Sequence, residues 1–321
     1  MNKKNIIYYF LLSIIVIALC FIAMMVGSSD ISNFSSNDLY IIYNLRLPRV
    51  IMCCLVGSAL SVCGTAYQAI FRNPLSDPYI LGVSSGASLG ASIAIVIGLD
   101  VFILGISLMA FVFAFITVIL IMKISQVGNR LHTTTLLLSG ISINFLFSAI
   151  ISIIMFIDQE DMHKIYFWTM GSFSGIKFND DIIVGCFVVL GCLIIRFYAK
   201  ELNALLFGNM TARSLGINVE KTKKIILIVS TLMIGSVVAY CGVIGFVGLI
   251  VPHIVRLIVG NDNRRILPFS IFGGMIFMLI SDIISRTIIA PSELPIGSIT
   301  SLIGSPFFIY LLYNAKKKLH S

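Results

Sequence analysis

The sequence predicts an all-α polytopic membrane protein, and three observations carry that prediction. Hydrophobic residues make up 58% of the chain and charged residues 11%. A soluble globular domain holds roughly 25% charged residues, so this chain has too little polar surface for a water-facing exterior. Apolar runs long enough to cross about 30 Å of hydrocarbon recur along the whole length. Basic residues collect in short clusters between those runs, the charge pattern of membrane topology. The net charge of +8 could suggest nucleic acid, but no basic patch with interleaved aromatics accompanies it.

In chain order the runs fall at about residues 6–27, 49–70, 82–99, 102–122, 134–157, 181–199, 225–241, 244–260, 266–289 and 296–314, giving about ten spans. The first follows Lys3 and Lys4, exceeds the roughly 7–15 apolar residues of a signal-peptide core, and reads as a retained span. The second carries Gly57, Ser61 and Gly64, and the third Gly82, Gly86 and Gly90; at helical spacing, such small residues let helices approach closely. Glycine and proline interrupt the last four. With the N-terminus inside, 17 of the 22 Lys and Arg fall on the inner side, and most acidic residues outside. Residues 1–321 therefore read as a single transmembrane domain with both termini cytoplasmic.

Four segments do not read as lipid-facing helix. Leu45–Arg49 brings Arg46 and Arg49 to the outside. Asn73–Ala87 holds Pro74 and Pro78, which stop one helix and restart another. The longest inner connection, about 200–224, has apolar residues at helical spacing around Gly208 and Gly216, a pattern suited to docking in a partner's groove or to lying on lipid. Gly242–Arg256 spaces Gly242, Gly245 and Gly248 three apart before Pro252, which predicts a broken or closely packed helix. The seven cysteines form no CxxC pair and read as small buried hydrophobes. His253 reads as a structural residue, since no second ligand follows at helical spacing.

Taken together, Arg46-Leu-Pro-Arg49, Asn73-Pro-Leu75 with Gly82-Val-Ser-Ser-Gly86-Ala87, Ala212-Arg-Ser-Leu-Gly216, Gly245-Phe-Val-Gly248 with Pro252-His253 and Arg256, and Glu293-Leu-Pro-Ile-Gly297 resemble the FecCD family of importer permeases. The resemblance runs over nearly the whole chain. It implies the permease fold of a type II ABC importer, and a passage for a ferric siderophore or, alternatively, heme or cobalamin. It also implies a second permease chain (identical or a sibling), two cytoplasmic ATPases, and an external substrate-binding protein, lipid-anchored where there is no outer membrane. The chain contains no G-x-x-x-x-G-K-[ST] loop, so ATP and Mg belong to the ATPase, and no cofactor is expected on this chain.

By the same resemblance, Leu202, Leu206, Gly208, Ala212, Arg213, Leu215 and Gly216 couple to the ATPase. Arg46, Arg49 and Arg286 meet carboxylates of the binding protein, with Asp282 one turn from Arg286 as an internal alternative. Asn73, Leu75, Thr133 and Thr134 close the inner end of the pathway, although a threonine just before a helix also reads as an N-cap. Two rival classes fare worse. An ion-driven transporter needs carboxylates within the spans, where Asp282 is the clear candidate and already has an arginine beside it. An intramembrane enzyme needs converging histidines, serines or aspartates at depth, and the four histidines are scattered.

Overall fold

A computed structural model describes residues 3–27, 36–102, 104–128 and 130–319. Each predicted run holds one helix of the bundle: α1 (Lys3–Met25), α3 (Leu47–Phe71), α4 (Val83–Val96), α5 (Gly105–Ile124), α6 (Thr133–Ile157), α8 (Phe178–Phe197), α11 (Val219–Cys241), α12 (Val247–Val259), α13 (Asn263–Thr287) and α14 (Ile296–Leu319). Shorter helices lie in the connections: α2 (Ser36–Ile41), α7 (Met162–Met170), α9 (Ala199–Leu206) and α10 (Asn209–Ser214). A two-residue hairpin pairs Gln126–Val127 with Arg130–Leu131.

Three details depart from the sequence reading. The second span begins well before residue 49, because α2, a π-helical segment at Ile42–Arg46 and α3 run on continuously. Pro48 has no N–H to donate to the carbonyl four residues earlier, so the turn before it widens and Leu47 N–H bonds Ile42 O instead. The eighth span is shorter than predicted: residues 242–246 are not helical, and Phe246 adopts φ +69°. The 13 residues of α12 then reach only about 20 Å, so the break lies at membrane depth. The third span starts as predicted, at Val83 after a 3-10 turn at Pro78–Leu81, but ends at Val96, short of residue 99.

The centre of the bundle is α3. Of its most apolar window 83% is buried, against 6% for α1, which lies at the edge. α3 packs on α13, α12, α11 and α8, so helices from the second half of the chain surround this helix of the first half. Small residues permit this. A Cβ at Gly57 or Gly274 would collide with the other glycine's carbonyl, and one at Gly64 with the backbone of Gly248. Ser61 Oγ crosses the same contact to Ser270 O at 2.7 Å. Gly274→Ala is therefore expected to cost about 1–3 kcal/mol through overpacking. A thermal melt of the purified chain in detergent checks this; an unchanged melting temperature would show that α3 and α13 can separate freely.

Contacts sort the connections into two ends. Residues 72, 131, 203–220 and 262 meet at one, and residues 24–27, 46–49, 171–176 and 293–297 at the other.

Candidate functional site

At the first end, α9 and α10 form a bent pair. Gly208 joins them at φ +107° and ψ 158°, a region essentially confined to glycine. Leu202 and Ala212 are fully buried against the chain's own helices, and Leu206 is half-buried. Outward, instead, point Phe207, Met210 and Leu215, at 77%, 83% and 66% exposure. α10 ends in a Schellman motif: Gly216 N–H bonds Arg213 O and Ile217 N–H bonds Ala212 O, with Gly216 at φ +79°. Any L-residue there is strained, although open space surrounds the position. Gly216→Ala should cost about 1–2 kcal/mol and Gly216→Asn, which tolerates this conformation, much less. Equal melting temperatures for the two variants would contradict the assignment.

Asn203 ties α9 to α13. Its Nδ2 donates to Asp262 Oδ1 at 2.6 Å and its Oδ1 accepts from Asn263 N–H at 2.8 Å. Arg213 Nη2 donates to Glu220 Oε1 at 3.0 Å, on the first turn of α11.

Between the ends, α4, α6 and α7 border a cavity of about 380 Å³ lined by Ser84, Ser85, Ser88, Asn144, Ser148 and Thr169, among others. Its lining is hydroxyl-rich and carries no charge. Asn144, Ser148 and Ser152 recur every four residues on α6, which sets a polar stripe along the cavity on a mostly apolar helix. Ser85 Oγ donates to Asn144 Oδ1 at 2.6 Å, linking the stripe to α4.

Toward the first end of this cavity, Asn73 Oδ1 accepts from Leu75 N–H at 2.9 Å, closing a tight turn, and Leu75 is exposed. Asp77 caps the 3-10 turn by accepting from Tyr79 N–H at 2.7 Å. Burial raises its carboxyl to about 6, and that N–H pulls the other way. Thr133 and Thr134 open α6. The cap is His132, whose side chain makes no capping bond, so neither threonine is an N-cap. Among the described residues no hydrogen bond joins Asn73 or Leu75 to Thr133 or Thr134.

At the second end, a cavity of about 170 Å³ brings together Arg46, Arg49 and Arg286 with Glu293. None of the three arginines is presented outward, as the sequence reading expected; their exposures are 5%, 9% and 2%. Arg46 donates to Met24 O and Met25 O, and Arg286 to Ala23 O and Val26 O. These are the last carbonyls of α1 and the residue after it, which have no helical partner of their own, and two guanidinium groups cap them. Asp282, fully buried, sits between Arg49 Nε at 2.9 Å and Arg286 Nη2 at 2.8 Å. Arg49 Nη1 also reaches Glu293 at 2.7 Å, on the connection before α14.

Comparison with known proteins decides what this bundle is. The model of the FecCD transport family matches residues 10–314. The chain belongs to the FecCD transport family. It is 39% identical to the cobalamin import system permease protein BtuC of Halobacterium salinarum, over 85% of this chain and 73% of that one. It is 38% identical to the hemin transport system permease protein HmuU of Yersinia pestis, over 89% and 87%. A solved metal-chelate type ABC transporter in an inward-facing conformation superposes with a TM-score of 0.87 at 32% identity, covering 95% of this chain and 98% of the other. The fold is thus that of an ABC importer permease, all-α, with seven helices among the described residues long and apolar enough to cross a membrane and three shorter apolar ones.

Within this FecCD chain the sequence reading marked residues 202–216 as an amphipathic segment but not which of its residues face outward. Leu202 and Ala212 hold the segment to the bundle, whereas Phe207 and Met210 form the surface with Leu215. The polar stripe on α6 was also missed, although its four-residue spacing was visible in the sequence.

Proposed function

We propose that this chain is the permease half of an importer that carries a ferric siderophore across a bacterial cell membrane. It would pair with a second permease chain, identical or a sibling, so that two copies of the α6 stripe face one passage. The observation that carries the reading is the uncharged, hydroxyl-rich cavity in a FecCD chain. A chelate presents oxygen-rich, hydrogen-bonding surface while its own ligand shell holds the metal. Hydroxyl and amide groups can guide such cargo without an ion pair that would trap it. The hemin and cobalamin permeases among the relatives keep heme and a corrinoid as the alternative cargo.

Power would come from two cytoplasmic ATPases that hold ATP and Mg and dock on Phe207, Met210 and Leu215; Arg213, Gly208 and Gly216 would keep that face in shape. Asn73, Leu75, Thr133 and Thr134 would close the passage at the same end. The bias of Lys and Arg supports a cytoplasmic position for this end and both termini. An external binding lipoprotein would dock at the opposite end. Arg49 is the arginine suited to it, because its partner Glu293 is the acid of the cluster that reaches the surface and can exchange with an incoming carboxylate. Arg46 and Arg286 would support that site by holding α1.

The test is uptake of labelled ferric hydroxamate, ferric catecholate, heme and cobalamin in a deletion strain with and without this gene. Restored uptake of a ferric siderophore alone is expected. Restored uptake of heme or cobalamin alone would overturn the cargo and keep the permease role.

A further inference from the structure

One carboxylate touches both the coupling segment and the start of the pathway helix. Glu220 stands on the first turn of α11, immediately after α10 and its Schellman joint. Its Oε1 accepts from Arg213 Nη2 of α10 at 3.0 Å, and its Oε2 accepts from the backbone N–H of Leu131 at 2.9 Å. Leu131 is buried and closes the small hairpin, and α6 begins two residues later at Thr133. One turn along α11 on the same face, Lys223 is 1% exposed and its Nζ donates to Thr133 Oγ1 at 3.5 Å. Two side chains of α11 therefore grip the three residues that lead into α6.

The coupling segment has a second outlet, through Asn203 to Asp262 and Asn263, but that one leads to α13. Among the described residues, the hydrogen bonds that run from α10 toward the helix carrying Asn144, Ser148 and Ser152 pass through Glu220. We infer that Glu220 is the positioning residue through which displacement of α10 is passed to α6, with Lys223 as its second point of hold. A carboxylate suits this place because it accepts two hydrogen bonds at once, one of them charge-assisted. The inference rests on the reading of α9 and α10 as the ATPase contact.

The experiment uses the assembled permease–ATPase complex in proteoliposomes, with a labelled ferric hydroxamate as probe, and reads ATP hydrolysed per chelate moved. Glu220→Ala is expected to keep the ATPase bound and hydrolysing while transport falls at least ten-fold. Glu220→Gln keeps an acceptor for Leu131 N–H but loses the ionic bond to Arg213, and should fall between wild type and Ala. The exchange of Arg213→Glu with Glu220→Arg rebuilds the ion pair but leaves Leu131 N–H without its acceptor, and should remain uncoupled. Should Glu220→Ala not assemble, the Gln variant carries the test, with its ratio of ATP to chelate expected above wild type at an unchanged melting temperature. A wild-type ratio in the Ala variant, in the Gln variant where Ala does not assemble, or in the exchanged pair would overturn the inference. Absence of ATP-driven uptake by the wild-type complex, with heme and cobalamin tried as well, would instead overturn the importer reading beneath it.

Discussion

Asp282→Asn is expected to destabilise the chain by about 3–5 kcal/mol, because it leaves Arg49 and Arg286 buried beside a neutral amide. The substitution conserves volume, so the loss measures charge and not packing. The effect should spread to α1, since Arg286, the partner of Asp282, also holds Ala23 O and Val26 O. Glu293→Gln is the control. Its side chain is 29% exposed and Arg49 keeps Asp282, so the cost should stay within about 1 kcal/mol. Melting temperatures of the two variants in detergent compare them directly. Equal losses would mean that the cluster is not organised around Asp282.

Met210→Glu is expected to abolish most ATP-driven uptake without lowering the amount of folded chain. Met210 is 83% exposed and stands beside Phe207 and Leu215 on a segment that its buried residues already hold in place. Loss of an anchoring side chain at a docking surface costs about 2 kcal/mol, so ATPase affinity should fall about 30-fold. Phe207→Asp should act alike. Leu202→Asp, by contrast, should fail to fold, since Leu202 lies in the core. Co-purification of the ATPase with each variant separates the cases: Met210→Glu yields intact permease without ATPase. Retained ATPase would place the contact elsewhere.

The number and order of the spans were legible because each is a run of apolar residues between polar breaks. What was not legible depended on which face of a helix meets which neighbour. Leu202 and Met210 are both apolar residues in one amphipathic stretch, and only packing shows that the first turns inward and the second outward. The arginines illustrate the same limit. Arg46, Arg49 and Arg286 read as external charge because they lie at the outer ends of membrane spans. Their partners, however, lie far away in sequence: Asp282 and Glu293 for Arg49, and the end of α1 for Arg46 and Arg286. Local spacing reached only the Asp282–Arg286 pair, which are four residues apart and do bond. The π-helical turn before Pro48 could have been anticipated from the proline, but that it prolongs the helix rather than ending it is a tertiary outcome. The stripe through Asn144 and Ser148 was in plain view and is the lesson for reading similar chains: in an apolar helix, the few polar residues that share one face mark the side turned away from lipid.

The most direct test of the central claim is accumulation of a labelled ferric hydroxamate, heme and cobalamin, each in turn, in proteoliposomes that hold this chain with its ATPase and external binding protein. Accumulation of a chelate is expected to follow ATP supplied on the face that bears Met210, and to persist when a protonophore collapses the ion gradient. Accumulation that needs the gradient, and proceeds without ATP or without the ATPase, would contradict the account.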